Sequence, residues 1–229
     1  MVSEIFEGVR RAIELIVSGD PAVLDATLRS LYVSGTATLL AVTWSIPLGL
    51  LIGSKEFKGR KLLKGLFNAL LGIPTVGLGL ILYLILSKSG PLGILNILYT
   101  PSAIILGQAI LITPIAVSFT TSAIEAIGPE IKDLARTLGA SESEANFTLL
   151  QEAIPSVALA IVASFNRAVA ELGLALMLGG NISGLTRVLT TSIALETTRG
   201  NFELGIALTI ILLLIVFSLN SITNLFKGE

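Results

Sequence analysis

Arg167 and Glu171 stand four residues apart in AIPSVALAIVASFNRAVAELGLALMLGG, a run that is otherwise uncharged. At that spacing two side chains share one face of a helix and can pair. Charges inside so apolar a run are costly, and usually face a bundle interior or a water-filled cavity. Two kinds of chemistry fit them. They can form an ion pair, internal or snorkelling to an interface, that locks helix packing. Alternatively the guanidinium offers several N–H donors to an anion while the carboxylate neutralises it. Asn181, Ser183, Thr186, Thr190, Thr191 and Ser192 follow directly. Their hydroxyls and amides suit an anion that must be solvated without being trapped; they equally suit a hydrated outer loop or a short re-entrant helix. Gly179 and Gly180 mark a break between these two groups. The chain has no histidine and no cysteine. That removes imidazole catalysis, thiol chemistry, disulfides and the usual zinc ligands, so no catalytic or metal-ligating set is expected.

The elements that must position these groups follow from composition. Of 229 residues, 53% are hydrophobic and 14% charged, against roughly 25% charged in soluble domains. Mean hydropathy is +0.88. This is the profile of an all-α integral membrane protein. A net charge of −1 gives no basic footprint for nucleic acid. The opening MVSEIFEGVRR has an acid where a secretory signal is basic, so no cleaved signal peptide is expected. Gaps between charges, at about 20 residues per span, predict five crossings at 30–54, 65–87, 101–124, 153–175 and 204–226. Glycine and proline in LGIPTVGLG (Gly72, Pro74, Gly77, Gly79) are expected to break the second crossing, as at a path element, or to pack helices closely. Gln108, Thr113 and Pro114 leave the same choice open in the third.

The segment 55–64, KEFKGRKLLK, carries five basic residues and one acid, which places it in the cytoplasm. Alternation then puts the N-terminus outside, 125–152 inside, 172–203 outside and the final FKGE inside. Residues 1–20 read separately. Ile5, Val9, Ala12, Ile13 and Ile16 recur at helical spacing among charges, as in an amphipathic helix lying in the outer interface. Asp20-Pro21 starts the next helix. Residues 21–229 form one transmembrane domain.

The most polar stretch is DLARTLGASESEANFTLLQEAIP, Asp133 to Pro155. Pro129 opens a helix whose Ile131, Leu134, Ala135 and Leu138 share a face. Gly139 ends it. Ser141 with Glu144 forms a capping box that starts a second helix. The result is a helix–glycine–helix elbow on the cytoplasmic side, either an ordinary connection or a docking knob whose apolar stripe wants a partner.

At these residues the chain resembles the permease subunits of ATP-binding-cassette importers. Their cytoplasmic loop reads E-A-A, three residues, Gly, then I-x-L-P. Here Asp133-Leu134-Ala135 and Gly139 match its first half, with Asp for Glu and Leu for the first Ala. Ile154-Pro155 lies three residues beyond the usual place of the proline. ARTLGAS (Ala135–Ser141) is similar to the molybdate, tungstate and sulfate branch. SGPLG (Ser89–Gly93), LLQEA and FNRAVAELGLALMLGGNISGLTRVLTTSIALET (Phe165–Thr197) look like the tungstate-type permeases.

The resemblance implies an importer permease fold of type I, and an oxyanion, tungstate first with molybdate and sulfate behind, as cargo. It implies a permease homodimer in the cell membrane, in contact with lipid. Two ATPase subunits would grip the 129–145 loops, and an extracytoplasmic binding protein would deliver the oxyanion. Asp133, Ala135, Arg136, Gly139, Ala140 and Ser141 would form the coupling elbow. Arg167, Glu171, Asn181, Ser183, Thr190 and Thr191 would line or gate the path. The chain has no G-x-x-x-x-G-K-[ST] loop. Under the resemblance it binds no cofactor, and ATP with magnesium belongs to the partner. Two other classes compete. An autonomous secondary transporter should show repeated halves and several intramembrane carboxylates, and only Glu171 fits. A membrane enzyme should show a catalytic cluster.

Overall fold

The computed structural model describes residues 2–226, with side chains over 8–221. Ile5, and the final Lys227–Glu229 of the FKGE tail, therefore fall outside the described side chains. The described residues form helices and no strand: α1 (Val2–Val17), α2 (Pro21–Ser54), α3 (Arg60–Leu70), α4 (Thr75–Leu86), α5 (Pro101–Ile127), α6 (Glu130–Thr137), α7 (Glu142–Glu152), α8 (Ile154–Val169), α9 (Gly173–Gly179), α10 (Leu189–Thr198) and α11 (Phe202–Phe226). Helices α2, α5 and α11 are each long and apolar enough to cross a membrane. The bent pairs α3–α4 and α7–α8 bring the total to five if each pair is one crossing.

Helix α2 starts where the sequence indicates. Asp20 Oδ1 accepts from the N–H groups of Ala22 (2.9 Å) and Val23 (3.2 Å), and Pro21 takes the first turn. The bundle centres on α5, which is buried along most of its length between α2, α8 and α9. Its seam with α2 is made by small residues. Val33, Ala37, Ala41, Ser45 and Gly49 recur every four residues along α2, all buried. A Cβ on Gly49 would lie 2.6 Å from Thr120 Cβ, and one on Gly53 would lie 2.7 Å from Ile124 Cβ. Between apolar helices in lipid there is little hydrophobic drive, so this close approach is what holds the seam.

Two predicted crossings are interrupted, the second at the proline that the sequence offers as its break. The second, 65–87, is not one helix: α3 and α4 meet at 100°. Pro74 excludes Ile73 from helical geometry and caps α4 instead. The break is confined to Leu71–Pro74. Gly77 and Gly79 lie inside α4, and a Cβ on Gly79 would press Met177 of α9 at 3.2 Å, so Gly79 serves packing. The fourth crossing, 153–175, also divides. Helix α8 ends at Val169, and α9 restarts at Gly173 because the Glu171 carboxylate (Oε1) accepts from Leu174 N–H at 3.0 Å. In the third, Gln108 is buried and donates to the Ala168 carbonyl at 2.9 Å, tying α5 to the end of α8. In helix α1, Ala12 is fully buried against α11, Arg10 and Arg11 face outward, and Ile13 of the expected apolar stripe is 50% exposed.

Candidate functional site

The elbow is α6 and α7. Gly139 joins them at φ +92°, with its N–H on the Arg136 carbonyl and the Ala140 N–H on the Ala135 carbonyl. This is the left-handed helix stop that favours glycine. No atom of the chain lies within 4 Å of the place a Cβ would occupy, so the backbone conformation alone selects glycine within this chain. Ser141 accepts from Glu144 N–H at 3.3 Å, and Glu144 Oε2 accepts from Ser141 N–H at 2.7 Å. Both halves of the capping box are therefore made. These bonds to Ser141 hold the Glu144 carboxyl below its ordinary pKa.

One side of the elbow is a cage of charge. Glu142 on α7 receives Lys132 Nζ at 2.7 Å and also the Arg136 guanidinium, both from α6. Lys132 first, then Arg136, holds the Glu142 carboxyl down at about 2. Arg136 also pairs with Asp133 at 3.2 Å. Lys132 is only 5% exposed and reaches the Ser54 carbonyl at the end of α2, 3.4 Å away. Lys132 and Glu142 escaped the sequence reading because two charges ten residues apart across a glycine turn form no periodic pattern. Beside the cage, a cleft of about 600 Å³ runs between the ends of α2 and α5 and the elbow. Its wall includes Arg60, which holds Glu125 at 2.8 Å and the Ile52 carbonyl at 2.7 Å.

The other side is apolar. Leu134 is 57% exposed and Leu138 is 80% exposed. With Ala135, Gly139 and Ala140 they line a second cleft of about 620 Å³, closed on its far side by Glu144 and Thr148 of α7. The charge cage joins α6 to α7, and the Leu134–Leu138 stripe on the other side stays exposed. Helix α7 then bends by 68° into α8. The elbow is thus joined by one short turn to a membrane helix.

At the far end of α8, Arg167 Nη1 meets Glu171 Oε2 at 2.7 Å. Glu171 is 3% exposed and the arginine side chain is 35% exposed. Thr190 Oγ1 donates to the Glu171 carbonyl at 2.8 Å. Thr191 is fully buried; its hydroxyl accepts from Val188 N–H at 2.9 Å and donates to the Val188 carbonyl. Asn181 sits at φ +52° and accepts from Arg187 Nε at 3.3 Å. Ser183 is exposed, on the rim of a 50 Å³ cavity shared with Arg187 and Glu196. Arg167, Glu171 and Thr190 are therefore one cluster, Asn181 and Thr191 form its neighbouring tier, and Ser183 lies apart. Ser30, which accepts from Leu189 N–H at 2.7 Å, and Arg29, which donates to the Leu185 carbonyl at 2.8 Å, anchor this tier to α2. Nothing in their sequence context marks them.

Comparisons with known proteins agree with this layout. Residues 45–228 match the family described as binding-protein-dependent transport system inner membrane component. The chain is 39% identical to the tungstate uptake system permease protein TupB of Peptoclostridium acidaminophilum, over 98% of this chain and 99% of that protein. It is 38% identical to TupB of Campylobacter jejuni, over 97% and 93%. Among solved structures, a bacterial ABC transporter involved in the import of the acidic polysaccharide alginate superposes with a TM-score of 0.69. That match covers 94% of this chain and 82% of that one at 20% identity, a likeness of fold. With its apolar crossings and its match over most of its length, the chain is a multi-pass membrane protein and belongs to the family of binding-protein-dependent transport system inner membrane components.

Proposed function

We propose that this chain is the permease subunit of an ATP-driven tungstate importer. The observation that carries the reading is the near end-to-end relation to tungstate uptake permeases at 38–39% identity. Two copies form the translocation path, and a separate ATPase subunit takes each elbow. The sequence has no phosphate-binding loop of its own, so ATP and magnesium belong to that ATPase, and this chain binds no cofactor. A binding protein delivers the oxyanion from outside. The elbow end carries the basic 55–64 segment and faces the cytoplasm. The N-terminus is then outside and the C-terminus inside.

Within this reading each part has a task. The exposed Leu134–Leu138 stripe supplies apolar contact to the ATPase. Asp133, Ala135, Arg136, Ala140 and Ser141 shape the knob around Gly139, and the cage around Glu142 keeps it rigid. A shift of the knob passes through the α7–α8 bend to Arg167, and through Lys132 to the end of α2. At membrane depth Arg167 is held by Glu171, so it attracts an oxyanion without trapping it. Asn181, Ser183, Thr190 and Thr191 line the outer approach.

The test is ATP hydrolysis in proteoliposomes holding the chain, its ATPase and the binding protein loaded in turn with tungstate, molybdate or sulfate. Stimulation by the tungstate-loaded form above the other two is the expected result. Stimulation by another oxyanion alone reassigns the cargo. Failure of the chain to associate with any ATPase removes the importer reading.

A further inference from the structure

Helix α3 is the one helix of at least eight residues among those described in full that buries none of its side chains. It leaves α4 at 100° after a four-residue turn. If α4 runs across the membrane, α3 lies along the bilayer plane, at the boundary of the hydrocarbon. Leu62 and Leu66, one helical turn apart, are 80% and 51% exposed and touch no core cluster. An apolar face in that position inserts naturally into the headgroup region.

Charge decides which bilayer it suits. Arg60 and Lys64 turn inward and share Glu125 of α5. Lys55, Lys58 and Lys61 have no carboxylate partner among the described residues. Lys61 on the helix and Lys58 in the turn before it thus offer unpaired ammonium groups near the exposed leucines, with Lys55 at the mouth of the adjoining cleft. A second copy of the chain is a poor occupant. A two-fold contact brings the same patch to both sides, and three lysines would meet three lysines. Anionic headgroups over a hydrocarbon layer satisfy both the charge and the apolar face.

We propose that α3, with the turn before it, binds the anionic headgroups of the leaflet on the elbow side. This surface is distinct from the translocation path and from the ATPase-facing stripe. It ties lipid to the cleft through Arg60 and Lys64, whose Glu125 partner ends α5. The lysines attract anionic lipid electrostatically, and the leucines hold the helix at the interface.

The test places a photoreactive residue at Leu62 in the full chain, reconstituted in mixed phosphatidylcholine and phosphatidylglycerol. Lipid adducts are expected, enriched in phosphatidylglycerol by roughly threefold or more over the bulk ratio. Changing Lys55→Gln, Lys58→Gln and Lys61→Gln together should return the ratio towards bulk, while the same three changes to Arg should keep the enrichment. Adducts to a second copy of the chain, or lipid adducts in the bulk ratio, overturn the proposal. So does enrichment that survives the glutamine variant. No oxyanion or ATPase enters the experiment, so its failure leaves the proposed transport function standing.

Discussion

Two glutamates in this chain each hold an arginine, and they do so in opposite surroundings. Glu142 sits on the elbow, its side chain 44% exposed, between Lys132 and Arg136. Glu171 is 3% exposed, with one arginine and one backbone N–H as partners. Between the half-exposed Arg136 and Glu142 an ion pair gains little energy, because solvent already serves both charges. Its value at Glu142 is geometric: one carboxylate joins two helices and sets their angle. Glu171 depends on its arginine more strongly, since without Arg167 a carboxylate only 3% exposed is left with no charge partner. The elbow is therefore tunable, and the membrane-depth cluster is not.

The largest effect is expected from Arg167→Ala, which leaves the buried Glu171 carboxylate without its charge partner. A loss of about 3–5 kcal/mol is expected, read as a fall in the thermal midpoint in detergent. The double change with Glu171→Ala should cost less than Arg167→Ala alone. Simple additivity of the two single losses would dissolve the pairing. Next comes Gly49→Val. Its side chain would enter the 2.6 Å gap to Thr120, and overpacking of this kind costs about 1–3 kcal/mol. An unchanged midpoint would show that the α2–α5 seam is looser than described.

Gly139→Val sharpens the contrast in the other direction. Holding a branched residue at φ +92° strains the turn by about 1–2 kcal/mol, so the protein should still insert and fold. Co-purification with the ATPase should fall at least about tenfold, the equivalent of 1.4 kcal/mol. Intact association would return the elbow to an ordinary connection. The smallest effect is in pH. Glu142 is held down at about 2, so its pairing is fully present above the ordinary glutamate range and is lost as pH falls towards 2. ATPase association should therefore stay flat from pH 8 to about 5, and Glu142→Gln should remain rigid enough to fold. A midpoint of association near neutral pH would contradict the cage.

The elbow was legible because its signals are local. Pro129, Gly139 and the Ser141–Glu144 box each act within four residues, and apolar spacing gave the Leu134–Leu138 stripe. The start of α2 at Asp20-Pro21 was legible for the same reason. Pro74 announces the break in the second crossing, but neither its 100° angle nor the division of the fourth at Glu171 was legible, because charge gaps measure length and carry no direction. A chain that turns through 100° at Ile73-Pro74 stays apolar on both sides of the turn. Glu171 ends one helix and caps the next through a backbone contact that spacing does not encode. Nothing local marks Lys132 as buried, because what covers it is the end of α2, a neighbour 78 residues away. Ser183 fell within the polar stretch but lies apart from the Glu171 cluster, since residue type alone does not say which way a loop folds.

Helix α2 has a consequence for the end of the molecule away from the elbow. Its 34 residues span about 51 Å at 1.5 Å per residue, against about 30 Å of hydrocarbon. Some 20 Å of it must therefore stand clear of the oil, and the Asp25–Arg29 pair falls in that length. Arg29 and Ser30 are the hooks on which the Leu185–Leu189 loop hangs. The helix acts as a post: one unbroken piece of backbone sets how far from the lipid the rim of the molecule is carried.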